Sequence, residues 1–520
     1  VQDSADGLSV GLAELVATFA LGQDNAFGQP LGAQLRSCLI AMRIADVIDL
    51  AEADRETVYW VAQLRYVGCS GHAHETAVVF GDEVALRSRS LVNDLTDPKV
   101  VLGEIVRHAG AGQSGPRRTR DVLAMLAGGR EYMKMNFRAG CEVADALLER
   151  LDMSAAVRVS LRHTFERWNG KGLPDGVGGE NIPLPMRIVH LSQDMEVIAR
   201  IRGCDQAIDA ARQRRDNTYD PRLVDAFLPV VVEVIESLDK LDPWDAALAA
   251  EPGRRRELRD AEFDRALLVA ADFVDLKSPY TAGHSRGVAE LSAGAATELG
   301  CDSGEVRRLR AAGLLHDLGR MGIPNSIWDK PGPLTRSELD RVQLHPLLGE
   351  QMLRRSAGLA PLAPIAACHH ERLDGAGYAK GLTATALSRP ARILAAADRY
   401  HAMVEPRAHR PAHSPDQAAV ALRAAASSGE LAGDVVEAVL ASAGHRARRH
   451  RPARPAGLTE RELDVLRLVA RGMSTKQVAA ELVISAKTAD HHIQHIYAKI
   501  GVSTRGAAAL FASEHDLLRR

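Results

Sequence analysis

Leu314-Leu315-His316-Asp317-Leu318-Gly319-Arg320 sets an imidazole and a carboxylate side by side at the end of an apolar turn that breaks on a glycine. Two such groups buried together lose several kcal/mol unless something satisfies them. A divalent cation is the simplest partner. Further candidates for the same centre stand on both sides of the pair: His284 before it, then His345, the adjacent His369-His370, and finally Asp398. Imidazole and carboxylate without thiolate suit iron or manganese, with zinc as the alternative, rather than a Cys-rich structural zinc site. Any one of these histidines read alone is as well explained as a cap or a core residue. The ordered set points to a metal centre.

The chain around this stretch has 520 residues, 46% hydrophobic and 25% charged, with only 4% aromatic. These are ordinary values for a globular protein of about three domains. Abundant Ala, Leu and Arg favour helices, so the expected class is all-α. A formal net charge of −2 makes no overall case for nucleic acid or membrane, and any basic surface must be local. The six cysteines (Cys38, Cys69, Cys141, Cys204, Cys301, Cys368) are scattered without a CxxC pair. They read as reduced core residues. No apolar run approaches the roughly 20 residues of a membrane span, and the amino-terminal segment lacks a secretory pattern. A cytoplasmic protein with no membrane partner is expected.

Two large helical blocks and a small third one are expected. The first covers 1–238, with Leu8, Leu12, Leu15, Val16 and Phe19 at helical spacing. A charged, Pro-containing linker covers 239–260, the metal-bearing block 261–444, a basic Pro-broken tether 445–455, and the last block 456–520. The two large blocks read as copies. Gln34 aligned on His284 brings Tyr66-Val67 onto His316-Asp317, and Glu166-Arg167-Trp168-Asn169-Gly170-Lys171-Gly172 parallels Glu371-Arg372-Leu373-Asp374-Gly375-Ala376-Gly377. With one gap, the candidate ligand positions of the first copy hold Gln34, Tyr66, Val67, Asn136, Thr164, Phe165 and Gln193. His163 and Asp194 fall one residue out of register. The first copy keeps the scaffold and has lost the metal, which suits a packing partner.

The second copy resembles the HD-GYP phosphodiesterase domain, a subset of the HD metal-dependent phosphohydrolases, over nearly all of 262–445. Tyr280-Thr281-Ala282-Gly283-His284-Ser285 carries the likeness, as do His316-Asp317-Leu318-Gly319-Arg320-Met321-Gly322-Ile323-Pro324, Lys330-Pro331-Gly332, His345-Pro346 and His369-His370-Glu371 through Gly377-Tyr378. The resemblance implies that His284, His316, Asp317 and Asp398 hold one ion. His345, His369 and His370 would complete a second site, with Asp317 bridging. Two ions about 4 Å apart can activate a water and clamp the oxygens of an in-line displacement at phosphorus. Family members hydrolyse cyclic di-GMP to the linear dinucleotide and often on to GMP. Asp317 and Arg320 are the expected catalytic pair, Arg320 standing where the family usually has lysine. Gly377, Tyr378, Arg407 and Arg410 are expected at the substrate, although Ala379 replaces the name-giving proline. Tyr280 lies where some members carry a glutamate for a third metal, so two divalent transition-metal ions are expected.

The last block opens on Leu458-Thr459-Glu460-Arg461-Glu462, a capping box with Thr459 as N-cap and Glu462 three residues on. A short helix from Ser474, a longer one over Ala486 to Ile500 and a stop at Gly501 spell a helix-turn-helix. The segment resembles the LuxR-type DNA-binding domain over nearly all of 457–512. That likeness implies double-stranded DNA as a partner. Lys487, Thr488, His491 and His492 would face the major groove, Lys476 and Lys499 the backbone, in a homodimer. A protein-binding four-helix module is the alternative for this block. The whole reads as a phosphodiesterase of a cyclic dinucleotide, cyclic di-GMP by the resemblance, coupled to transcriptional regulation. The rivals are a nucleotide-sensing transcription factor without turnover and an HD hydrolase of another nucleotide.

Overall fold

The computed structural model describes residues 8–93, 98–110, 115–444, 455–515 and 517–518, so the basic tether falls almost wholly outside the described residues. Among the described residues the regular elements are helices apart from a two-stranded ribbon of Ser9–Gly11 and Glu257–Arg259. It divides into two compact units that change over at Leu258–Arg259.

The first unit packs Leu12–Ala26, Ala33–Val47, Glu52–Leu64 and Leu184–Arg202 around fully buried Leu15, Phe19, Ile40, Ile44 and Tyr59. The stretch expected as a linker contributes to this body. Asp242 caps a helix, Pro243–Ala249, whose Trp244 is 5% exposed, and burial of an indole gives that segment a reason to fold onto its unit.

The second unit repeats the element order. Asp260–Asp275, His284–Glu298 and Ser303–Leu315 correspond to the first three helices of its neighbour in sequence, and Arg389–Val404 corresponds to Leu184–Arg202. Val288, Leu309, Ile393, Leu394, Leu422 and Val436 form its core. Two glycines set close approaches that position the candidate centre. A Cβ on Gly313 would lie 2.7 Å from Ala289 Cα, so Ser303–Leu315 crosses His284–Glu298 in tight contact. A Cβ on Gly319 would lie 1.9 Å from the His345 carbonyl oxygen, so the turn after Asp317 lies directly on the start of helix His345–Arg355.

Equivalent contacts correct the sequence register between the copies. Gly32 and Gly283 are both left-handed N-caps, with φ of 95° and 79°, and Asp24 and Asp275 each accept from the second residue of the helix that follows. Ala33, not Gln34, therefore stands at the place of His284. Arg65 and Tyr66 take the places of His316 and Asp317, where a helix passes into a 3-10 turn in both units. Gly68 meets the Gly140 carbonyl as Gly319 meets that of His345, so Gly140 replaces Asn136 in the comparison. The later register holds. Oε1 of Glu166 and Oε1 of Glu371 each accept from two successive backbone amides of the loop that follows.

Aromatic rings occupy the corresponding region of the first unit. Tyr66 stacks on Phe27 with ring centroids 4.2 Å apart, Phe165 on Phe137 at 3.9 Å, and the Arg65 guanidinium lies over Tyr66. The near-register candidates are committed elsewhere: His163 to the Val159 carbonyl, Asp194 to Arg214 and Tyr219.

The carboxy-terminal block folds as four helices, Glu460–Ala470, Thr475–Glu481, Ala486–Ile500 and Arg505–Glu514. The capping box at Thr459 and the left-handed stop at Gly501 stand as read. This block packs directly on the rest of its unit. Ser513 Oγ donates to Asp272 Oδ1 at 3.1 Å, and Leu276 joins the four-helix core. A Cβ on Gly472 would come within 2.5 Å of Pro279, and one on Gly283 within 3.2 Å of Leu518.

Candidate metal centre

The seven expected side chains converge from five places in the fold. His284 is the first residue of its helix behind the Gly283 turn, and His316-Asp317 closes Ser303–Leu315. His345 opens its helix, His369-His370 follows the short helix Ala363–Ala366, and Asp398 lies inside Arg389–Val404. All are buried except His370, which is partly exposed.

Asp317 sits between two groups of donors, one on each carboxylate oxygen. Oδ2 faces His284 Nε2 at 3.8 Å and His316 Nε2 at 3.6 Å. Asp398 Oδ1 lies beside the same two rings, at 3.1 and 3.9 Å. Oδ1 of Asp317 faces His345 Nε2 at 3.5 Å and His369 Nε2 at 3.7 Å. His370 Nδ1 is 3.6 Å from Asp398 Oδ2, and its ring lies 4.6 Å from that of Tyr378.

The hydrogen bonds on the far side of each ring decide what it offers. Nδ1 of His316, His345 and His369 lies 2.6–2.7 Å from the carbonyls of Gly313, Val342 and Ala366. A carbonyl only accepts, so each Nδ1 must carry the proton and each Nε2 presents a lone pair. Burial lowers the pKa of His316 to about 4 and that of His345 to about 3, which keeps both neutral at pH 7. Burial works against the charge of Asp317, yet Arg320 and the surrounding histidines hold its carboxyl well below the usual range.

These residues fit a divalent cation on two observations. The Nε2 atoms of His345 and His369 face each other at 2.9 Å although both Nδ1 protons are committed to carbonyls, so two lone pairs converge where a shared cation would satisfy both. His316 Nε2 is buried without a hydrogen-bond partner and lies between two carboxylates.

A cleft of about 590 Å³ opens over the centre, lined by Tyr280, Arg320, Trp328, Lys330, Tyr378 and Arg407 among others. That volume suits a nucleotide-sized ligand. Arg320 donates to Asp317 Oδ2 at 2.7 Å, and its guanidinium lies 4.0 Å from the centroid of Trp328. Arg407 donates to the Tyr280 carbonyl and to Glu405. Two expected substrate residues have structural employment instead. Arg410 reaches the cleft wall, but its guanidinium is spent on the carbonyls of Ala402, Met403, Glu405 and Pro411. Gly377 lies outside the cleft lining, where a Cβ would stand 2.5 Å from Arg372 N. Its place is set by the packing of its own loop.

Trp328 and Glu405 were not singled out from the sequence. Glu405 carried a usable signal, since Asp398, His401 and Glu405 share one helical face at i, i+3 and i+7. Trp328 carried none beyond its nearness to Lys330-Pro331-Gly332.

On helix Ala486–Ile500 Lys487, Thr488 and His491 are exposed and His492 is partly so, while Lys476 is exposed on the helix before it. Lys499 is held by Glu462 at 2.8 Å, which also takes His495 Nδ1. Among the described residues no helix is long and apolar enough to cross a membrane.

The chain matches the family model described as HD domain over residues 135–223 and 268–434, and that of the bacterial regulatory proteins of the luxR family over 456–512. It is 31% identical over 410 residues to the 3'3'-cGAMP-specific phosphodiesterase 3 of Vibrio cholerae, covering 78% of this chain and 89% of that one. A cyclic di-GMP phosphodiesterase of Thermotoga maritima is 36% identical over 187 residues, a match spanning 50% of its length. The crystal structure of a cyclic GMP-AMP phosphodiesterase from V. cholerae superimposes with a TM-score of 0.58 at 27% identity, over 84% of this chain and 99% of that one. With an HD match in each half and a paired set of histidines and carboxylates in the second, the chain belongs to the HD-type phosphodiesterase family and carries a luxR-family domain at its carboxy-terminal side.

Proposed function

We propose that the second unit hydrolyses a guanine-containing cyclic dinucleotide at a two-ion centre, and that the luxR-family domain reads the state of that centre. The observation that carries the hydrolytic reading is the shared carboxylate, with His284, His316 and Asp398 on the Oδ2 side of Asp317 and His345 and His369 on the Oδ1 side. His370 is close enough to Asp398 to complete the donor set. Iron or manganese suits these donors best. Bound there, the ions supply Lewis acidity and a water activated near neutral pH. The chain's own residues do the rest. Arg320, fixed between Asp317 and Trp328, presents positive charge where a phosphodiester loses its oxygen. Arg407 and Lys330 lie on the cleft for the second phosphate, and Tyr378 and Trp328 offer ring faces to a base. No side chain need act as a nucleophile.

The regulatory half of the proposal rests on one turn. Residues 278–283 present Tyr280 to the cleft, Pro279 to Gly472 and Gly283 to Leu518, and they run directly into His284. A ligand that shifts this turn shifts the seat of the DNA-binding domain, with a coupling of about 1–3 kcal/mol typical of such links. Each chain supplies one recognition helix, so tight operator binding calls for a homodimer. The test is turnover of cyclic di-GMP and 3'3'-cGAMP by the metal-loaded chain, together with operator affinity at saturating dinucleotide in an Asp317→Ala chain. Hydrolysis of one substrate, and a shift in operator affinity of roughly 5- to 150-fold, are expected. No hydrolysis of either removes the first half. An unchanged operator affinity with the pocket filled removes the second.

A further inference from the structure

The geometry points to Glu405 as the positioning residue of the centre, a carboxylate that fixes the ring of His284 and, through the same oxygen, the pocket-facing guanidinium of Arg407. The inference rests on the metal-centre reading above. Glu405 caps helix Arg389–Val404, which also carries Asp398, so both carboxylates approach His284 from one rigid element. Glu405 Oε2 lies 2.8 Å from His284 Nδ1, while the other ring nitrogen, Nε2, faces Asp398 Oδ1 at 3.1 Å. A carboxylate on Nδ1 holds the proton there and turns Nε2 inward as a donor. The other three inward-turned rings use backbone carbonyls for this purpose. His284 alone begins its helix behind a left-handed glycine with a side-chain partner in that role.

The same Oε2 accepts from Arg407 Nη2 at 3.0 Å, and Arg407 Nη1 also holds the Tyr280 carbonyl at 3.1 Å. One carboxylate oxygen thus sets a ligand and a cleft cation together. The other oxygen, Oε1, is 3.3 Å from His401 Nδ1. Room for that ring comes from Gly287, where a Cβ would lie 1.8 Å from His401 Nε2. His284, His401 and Glu405 are near enough together to suggest a cation site of their own. The Arg407 guanidinium already on Oε2 opposes a further ion there, and favours the positioning role.

The test is metal affinity, measured by chelator competition with Mn²⁺ on the full chain, with ion count by elemental analysis and steady-state kinetics alongside. Two ions in the parent are expected, with Glu405→Ala weakening affinity about 10- to 100-fold in a chain that still unfolds cooperatively. Glu405→Gln, whose amide oxygen can still accept from His284, should keep affinity within a few-fold yet raise KM, because Arg407 loses its anion. The second variant decides the matter if the first does not fold. Equal metal affinity in the parent and Glu405→Ala overturns the proposal. So does a third ion in the parent that Glu405→Ala removes, which would make Glu405 a ligand. A parent that binds no Mn²⁺ instead removes the metal-centre reading itself.

Discussion

Arg320 is the residue whose chemistry is most sharply defined by its surroundings. It is buried between the Asp317 carboxylate and the face of Trp328, and its Nε has no hydrogen-bond partner. A buried N–H left in this way lacks a partner from the protein itself, which marks the guanidinium as part of the candidate centre rather than of the ordinary core. Arg320→Ala removes one preorganised donor and should cost about 10²–10³-fold in kcat, the usual loss for such a group. Trp328→Ala leaves the charge and removes only the platform. A cation–π contact contributes about 0.5–2 kcal/mol, so that variant should lose much less, on the order of 3- to 30-fold. Steady-state kinetics on both variants checks the ranking, and a larger loss at Trp328 than at Arg320 would contradict it. The candidate ligands could be picked out in the sequence because a metal demands particular residue types, and the fold brings those side chains together. Trp328 could not be, and Glu405 only through its spacing from Asp398 and His401, because what each does depends on which neighbour it meets. Arg410 shows the converse. An arginine at the right spacing was read as a phosphate binder, and the folded turn uses it to tie four carbonyls.

At the scale of elements, the turn holding His316-Asp317 is pressed onto helix His345–Arg355 with no space for a side chain at Gly319. Gly319→Ala should push that helix away and lengthen the Asp317–His345 separation. A destabilisation of about 1–3 kcal/mol is expected from the overpacking, with weakened metal binding. Denaturant melts and chelator competition measure the two effects. Unchanged binding would mean that the helix start does not set the His345 ligand. On helix Ala486–Ile500, Lys487 is exposed and Lys499 is tied to Glu462. Lys487→Ala should reduce the salt dependence of DNA binding by about one charge, and Lys499→Ala by less. Titrations at several salt concentrations separate them. Helix boundaries in this domain were readable because Thr459, Ser474, Ser485 and Gly501 are residues that caps select for. The seating of the domain was not readable. It depends on Pro279, Leu276 and Leu518, small apolar contacts with no pattern that separates them from ordinary core.

At the scale of the whole molecule, two units of like element order differ at one place, where the first holds stacked aromatic rings and the second gathers histidines and carboxylates. Between the copies, the sequence register was off by one residue at Ala33, Arg65 and Tyr66 and by four at Gly140, because the candidate ligand types are absent from the first copy and could not mark the alignment. The backbone contacts of Gly32 and Gly68 restore it. The first unit should also impose a pH dependence of its own. His72 and His190 are buried there, and burial, followed by nearby arginine charge, lowers both to about 3. Their unfolded value is about 6.5, so as pH falls below that the unfolded chain takes protons that the folded one refuses. Stability should be full above about pH 6.5 and fall toward pH 3, by about 1.4 kcal/mol per pH unit for each histidine. His190 Nε2 donates to the carbonyls of His163 and Thr164, which a glutamine amide can also satisfy. His190→Gln should therefore flatten the slope of melting temperature against pH, and an unchanged slope would place the acid sensitivity elsewhere.

Paired ion counting and product analysis on the parent chain and on Asp317→Ala, after loading with Mn²⁺ or Fe²⁺ under identical conditions, separate a two-ion hydrolase from a protein that only binds its nucleotide. About two ions per chain, with cyclic di-GMP or 3'3'-cGAMP converted to the linear dinucleotide, are expected of the parent. Asp317→Ala should lose the ions and the turnover while still binding DNA. A parent that holds its metal and leaves both dinucleotides intact, or an Asp317→Ala chain that hydrolyses one as fast as the parent, would contradict the two-ion hydrolase.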